Sequence, residues 1–280
     1  MNFEIPRIPL GAWIEGGLDF FTEQFSGVTR AFSTFTRGGI SLLNDGLLWL
    51  SPWAIIIAVC LLCWRAGGIK LAVFAFLGLG LVLNMGLWDP MIQTLTLVLV
   101  ATLIAIVIAL PLGIMAALSG RFYKTIMPVL DFMQTMPAFV YLIPAIPFFG
   151  IGAVSGIFAT VIFSMPPAIR FTALGIRQVP GDLMEAADAY GSTRTQKLFK
   201  LQLPLSLPTI MAGINQTIML ALSMVVIAAM IGADGLGTEV WRAIQRLQPG
   251  SGFEAGIAVV ILAMLLDRLT QALRRQSPAE

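Results

Sequence analysis

Residue types that carry chemistry are scarce in this chain of 280 residues, and it has no histidine. Cys60 and Cys63 form a C-x-x-C pair, the spacing of a redox couple or of half a metal site. With no histidine and no third cysteine to complete a coordination sphere, the pair reads as two small apolar residues in a membrane helix. No G-x-x-x-x-G-K-[ST] run occurs, so there is no phosphate-cradling loop. No carboxylates pair as an acid and a base, so an enzyme reading is poor. The polar side chains gather instead in one stretch, EAADAYGSTRTQKLFKLQLPLSLP, from Glu185 to Pro208.

Local signals divide that stretch into two short helices. Asp182 is a good N-cap, and Glu185 three residues later completes a capping box. Leu183, Ala186, Ala187 and Tyr190 then share one helical face. Gly191 is suited to stop the helix in a left-handed conformation. Thr193 and Gln196 repeat the capping pattern. The second helix is expected to turn Lys197 and Lys200 outward and Leu198, Phe199 and Leu201 inward. Pro204 is expected to end it, and Pro208 to open the next element as a first-turn proline. A first helix this short is marginal alone in water. Two readings stand: it docks on a partner, which the small residues Ala186 and Ala187 let approach, or it caps its own bundle.

The elements around this stretch are apolar. Hydrophobic residues make up 58% of the chain and charged residues 11%, against roughly 25% charged in soluble domains. That composition predicts an all-α polytopic membrane protein. The net charge of +2 is too small to point to nucleic acid. Seven apolar runs are expected to span, near 47–64, 69–88, 92–118, 126–148, 153–175, 207–231 and 255–272. The fourth is punctuated by Pro128, Pro137, Pro144 and Pro147. It is either a proline-kinked helix or a broken one facing the bundle interior, where freed backbone groups can be satisfied.

With the N-terminus outside and the C-terminus inside, the cytoplasmic connections hold twelve of the seventeen lysines and arginines. Arg7, Arg30, Arg37, Arg242 and Arg246 lie outside. This bias obeys the positive-inside rule and places Glu185–Pro208 in the cytoplasm. No uninterrupted apolar stretch in the first 45 residues reads as a cleavable signal peptide. Residues 1–45 form an N-terminal tail ahead of a transmembrane domain at 46–280. In the tail Leu18, Phe21, Phe25, Val28, Phe32 and Phe35 recur at three- and four-residue intervals, the pattern of an amphipathic helix. Its stripe either lies in the membrane interface or packs on the bundle or a partner. The connection 232–254, with Trp241, Ile244 and Leu247, reads as an outer gate, a docking surface or an interfacial loop.

The run Glu185-Ala186-Ala187, then Gly191, then Leu201-Gln202-Leu203-Pro204, resembles the EAA loop of ABC importer permeases. Four further stretches sharpen the likeness: LDFMQTMPAFVYLIPAIPFFGIG (130–152), MPPAIRFTALGIRQVP (165–180), LPTIMAGINQTIMLALSMVVIAAMIGADGLG (207–237) and ILAMLLDRLTQAL (261–273). They resemble the glycine betaine, proline betaine and choline uptake branch over about residues 90–273. The resemblance implies a type I ABC importer permease fold in the bacterial inner membrane. It implies a coupling helix made from Asp182, Glu185, Ala186, Ala187 and Gly191, followed by Leu203 and Pro204. It also implies two ATP-binding subunits carrying ATP and Mg, a second copy of the chain, and an extracytoplasmic binding protein. Some relatives fuse that binding protein to the permease; here it is expected as a separate polypeptide. No cofactor is expected on this chain.

Few ionisable residues lie inside the expected spans, which fits a subunit driven by a separate ATPase. An ion-coupled carrier of similar solutes remains open, since sodium sites can be built from carbonyls and hydroxyls. A membrane scaffold that only anchors an ATPase also remains open. For a methylated amine, Asp131, Gln134 and Tyr141 share a face if their segment is helical, with Phe139 near. Aromatic faces attract a quaternary ammonium by cation–π interaction. Alternatively, Asp131 pairs with Arg121 or Lys124 and the aromatics pack. Asn215, Gln216 and Ser223 either line the path or hydrogen-bond between helices.

Overall fold

The computed structural model describes residues 9–275. Arg7, counted above on the outer side, lies outside them, as do the side chains of Arg274 and Arg275. All regular structure among the described residues is helical, in the order α1 (Leu10–Gln24), α2 (Ser26–Trp49), α3 (Pro52–Gly67), α4 (Ile69–Asn84), α5 (Trp88–Leu118), α6 (Gly120–Thr135), α7 (Leu142–Phe149) and α8 (Ala153–Arg177). Then come α9 (Gly181–Ala189), α10 (Arg194–Gln196), α11 (Leu203–Ala228), α12 (Leu236–Gln245) and α13 (Pro249–Arg275).

The centre of the bundle is α8. It packs most extensively on α11 and then on α5. Small residues let the backbones close up. A Cβ added at Gly113 of α5 would stand 2.6 Å from the Thr172 side chain and 2.9 Å from the Ile169 carbonyl oxygen. One at Gly213 of α11 would stand 2.6 Å from Phe171 and 3.2 Å from the Pro167 carbonyl oxygen. Without a hydrophobic driving force between helices in lipid, van der Waals contact of this closeness is what holds such a bundle together. Pro166 and Pro167 sit inside α8, tolerated where neighbouring helices enclose the freed backbone.

The seven expected apolar runs are largely helical, but two are broken within and they do not make seven equal spans. Among the described residues, four helices can cross a membrane by length and composition: Trp88–Leu118, Ala153–Arg177, the continuous run Arg194–Ile231, and Pro249–Ala272. Two bent pairs raise this to six: α2 with α3, bent by 101°, and α6 with the helix from Ala138 to Phe149, bent by 110°. The helices α3 and α4 have 16 residues each. Each is about 24 Å long at 1.5 Å per residue, short of a hydrocarbon core of ~30 Å.

The fourth expected span is therefore an elbow. Helix α6 stops at Thr135, Met136 and Pro137 are extended, and a 3-10 turn over Ala138–Tyr141 leads into α7. The residue before a proline is driven out of the helical region, and Met136 obeys with ψ 135°.

At the N-terminus, α2 runs through residue 45 to Trp49, and the chain turns only at Leu50 and Ser51 before Pro52 opens α3. The aromatic stripe divides. Phe32 packs on Phe149 and Phe158 and Thr36 is fully buried, while Phe21, Phe25, Val28 and Phe35 are exposed. Phe32 thus fits the reading in which the tail packs on the bundle.

Candidate coupling surface and translocation face

The helix α9 follows α8 after Gln178–Pro180, yet it differs from it completely. None of its 9 residues is buried, and no other element packs extensively against it among the described residues. Asp182, Glu185 and Ala186 are exposed, Ala187 is half-buried, and Tyr190 just beyond is 91% exposed.

Its entry corrects the expected cap. Asp182 is not the N-cap: the helix begins at Gly181, Pro180 stands before it with extended ψ of 137°, and no side chain caps it. Pro180 fixes the entry angle by its own ring, which leaves Asp182 inside the first turn. There its charge still favours the helix N-terminus. The exit is as expected. Gly191 has φ +72°, the Gly191 N–H donates to the Asp188 carbonyl and the Ser192 N–H to the Ala187 carbonyl, both at 2.9 Å. This is the paired bonding of a Schellman motif.

The next helix starts with the capping box read from Thr193 and Gln196, both of whose bonds form. Two details differ from expectation. Lys197 turns inward to an ion pair with Asp188, so it ties the two helices together, and Phe199 is 61% exposed while Leu198 is buried.

Pro204 does not end the helix. The chain stays helical from Arg194 to Ile231, through a π-helical segment at Lys197–Gln202. Pro204 has no N–H and its ring would strike the carbonyl four residues back. Widening the preceding turn moves that carbonyl away, so the helix survives the proline. Leu203 is half-buried there and Pro204 exposed. Between α9 and this wide turn lies a cavity of about 520 Å³, lined by Leu183, Ala187 and Tyr190 on one side and by Lys197, Lys200 and Leu201 on the other.

The residues expected on the translocation face do not share one. Asp131 and Gln134 lie exposed on α6, whereas Phe139 and Tyr141 lie beyond the 110° bend. Phe139 is 52% exposed and Tyr141 is buried. The Tyr141 hydroxyl donates to the Met133 carbonyl, and its ring meets Phe163 edge-on at 5.7 Å. Tyr141 therefore braces the elbow. Asp131 pairs neither with Arg121 nor with Lys124 but with Arg170 of α8.

Asn215 belongs to a network between α11 and α13. Its Nδ2 donates to Asp267 at 2.9 Å and its oxygen accepts from Thr270. Ser223 and Gln216, seven residues apart on α11, are exposed on one face, and the Ser223 hydroxyl donates only to its own helix at the Met219 carbonyl. Arg170 and Arg177 of α8 were absent from the expected site. A cation inside an otherwise apolar helix is the signal that points to them.

The connection 232–254 forms α12. The Leu236 N–H donates to Thr94 of α5 at 2.8 Å, pinning the start of α12 to the bundle. Ile244 and Leu247 are exposed and line an apolar groove of about 880 Å³ against α13. Cys60 and Cys63 are free thiols, and Cys63 is fully buried in the apolar core.

Comparison with known proteins places this geometry. Residues 109–276 match the family described as binding-protein-dependent transport system inner membrane component. The glycine betaine transport system permease protein OpuAB of Bacillus subtilis (strain 168) is 50% identical over 270 residues, 96% of this chain and 96% of that one. The glycine betaine/carnitine transport permease protein GbuB of Listeria monocytogenes serotype 1/2a (strain 10403S) is 53% identical over 280 residues, 99% of each. The glycine betaine/proline betaine transport system permease protein ProW of Escherichia coli (strain K12) is 48% identical over 275 residues, 98% of this chain and 78% of that one. Among solved structures, an inward-facing MetNI methionine ABC transporter matches with a TM-score of 0.62 at 22% identity. That match covers 66% of this chain and 93% of the other, and it shows a shared fold.

Proposed function

From the premise that the chain belongs to the binding-protein-dependent transport inner-membrane family, the permease subunits of ABC importers, we propose that it carries a methylated amine osmolyte. Glycine betaine is the first candidate, with proline betaine and choline as near chemical neighbours. The observation that carries the mechanism is α9: a helix with no buried residue, locked at its C-terminal end by Gly191, with no extensive packing partner among the described residues. A helix this short does not persist in water by itself. A partner surface completes it.

In this reading the partner is an ATP-binding subunit. Two such subunits, each with ATP and Mg, meet the α9 helices of two copies of this chain. Asp182, Glu185, Ala186, Ala187, Gly191, Leu203 and Pro204 make the contact, and the cavity between α9 and the wide turn receives part of the partner. The N-terminus is outside and the C-terminus cytoplasmic, in keeping with the distribution of lysine and arginine. The N-terminal tail joins the transmembrane domain through the continuous helix α2, with the exposed stripe Phe21, Phe25, Val28 and Phe35 lying in the membrane interface. Closure of the ATP-binding subunits displaces α9, the bundle opens outward, and a separate binding protein releases its ligand into the path. Gln134, Phe139 and Ser223 are exposed and open to passing contact with the solute, while Asp131 is held by Arg170. Tyr141 and Asn215 act by holding the elbow and the α11–α13 contact.

Reconstitution of the chain with its ATP-binding subunits and binding protein tests this. ATP-dependent accumulation of glycine betaine is expected. Uptake by the chain alone, driven by an ion gradient, contradicts it. Calorimetry on the binding protein then identifies the ligand.

A further inference from the structure

We infer that Arg170 and Arg177 form a two-point clasp that makes α6 and its elbow follow the motion of α9, a positioning role that rests on the reading of α9 as the helix met by the ATP-binding subunit.

The Arg170 guanidinium bonds to Asp131, and the Arg177 Cζ stands 4.1 Å from the centroid of the Tyr123 ring. The two arginines are seven residues apart, and so on one face of α8. Tyr123 and Asp131 are eight apart on α6, in the opposite chain direction. The partners therefore match as in two antiparallel helices. An apolar seam runs beside the two contacts: Leu130 of α6 is buried with Ala109, Ala168 and Ile169, and Ile126, Met127 and Met133 of α6 pack against them. The Arg170 Nε is buried and has no hydrogen-bond partner among the described residues, so the contact with Asp131 is what meets this cation. Asp131 and Arg177 are exposed and Arg170 partly so, so the clasp acts by holding the two helices in register rather than by the strength of either contact.

Position gives the clasp its consequence. Arg177 is the last residue of α8, and α9 begins after three intervening residues. At the far end of α6, the Tyr141 hydroxyl returns to the Met133 carbonyl, so elbow and helix move together. A pull on α9 reaches Arg177 first, then α6 through both contacts, then the exposed residues Gln134 and Phe139.

The test uses the complete complex in proteoliposomes, with solute imported per ATP hydrolysed as readout. Arg170→Gln and Asp131→Asn should each lower that ratio about three- to tenfold, with the ATP-binding subunits still co-purifying. The exchange Asp131→Arg with Arg170→Asp should recover most of the loss. Tyr123→Leu should lower the ratio less, and Tyr123→Trp should keep it. Recovery in the exchange also separates the clasp from a substrate role for Asp131, because an arginine cannot replace a carboxylate facing the solute's quaternary ammonium group. An unchanged ratio in the single variants, or no recovery in the exchange, overturns the clasp. Loss of the ATP-binding subunits from the single variants overturns it too, since the defect then lies in assembly. Absence of those subunits from the unmodified chain's complex overturns the reading of α9 instead.

Discussion

Helices α8 and α9 are neighbours in sequence and opposites in structure. Helix α8 is closely enclosed, with Gly113 of α5 and Gly213 of α11 admitting its backbone. Helix α9 buries nothing. Three residues, Gln178–Pro180, separate them. On the proposed reading of α9, the difference shows how a membrane machine could take a push from outside the bilayer. One helix must be rigid within the bundle to transmit displacement, and the next must be open to receive it. The side chains follow: small residues and internal prolines where neighbours enclose the backbone, charges and a left-handed glycine where the helix stands open.

The largest expected effect breaks the rigid half. Gly113→Val places its side chain against Thr172 and the Ile169 carbonyl. Overpacking of a filled core costs about 1–3 kcal/mol, and backbone as the obstacle leaves little room to yield. We expect a large fall in the yield of monodisperse protein in detergent and a lower unfolding midpoint. An unchanged midpoint would mean that the α5–α8 contact is not rigid.

The next breaks the open half while sparing the first. Glu185→Arg with Gly191→Trp reverses a charge on α9 and puts a bulky side chain at φ +72°. Uptake should fall at least about tenfold, equivalent to ~1.4 kcal/mol of lost interaction, with bundle stability retained. Unimpaired assembly and transport would remove α9 from the mechanism.

A smaller effect is expected at the elbow. Tyr141→Phe removes one hydrogen bond to a backbone carbonyl, worth about 0.5–1.5 kcal/mol. Its signature is a lower unfolding midpoint with uptake only modestly reduced. A large rise in KM without loss of stability would return Tyr141 to direct solute contact. The smallest is Asn215→Leu, which cuts the links to Asp267 and Thr270. Polar contacts between membrane helices average about 0.6 kcal/mol, so a slight shift in midpoint is expected.

These regions also differ in how far the sequence alone discloses them. The end of α9 and the start of the following helix are legible because capping is local: Gly191, Thr193 and Gln196 act on backbone groups within a few residues. Asp182 misleads because the preceding Pro180 determines the entry. Pro204 misleads because a π-turn, a feature without a sequence signature here, absorbs it. The broken fourth span is flagged by its prolines, but the direction of the 110° bend, and hence the separation of Asp131 from Tyr141, depends on contacts with α8. Arg170 stands 39 residues from Asp131, beyond any local pattern.

The central claim is that α9 is the contact through which an ATP-binding subunit drives the bundle. Its most direct measurement is a cross-link from Ala187→Cys to a cysteine in the candidate groove of that subunit, with and without ATP. The account predicts an efficient cross-link that blocks transport until it is reduced. No cross-link in an assembled, transporting complex, or full transport with the link in place, would contradict it.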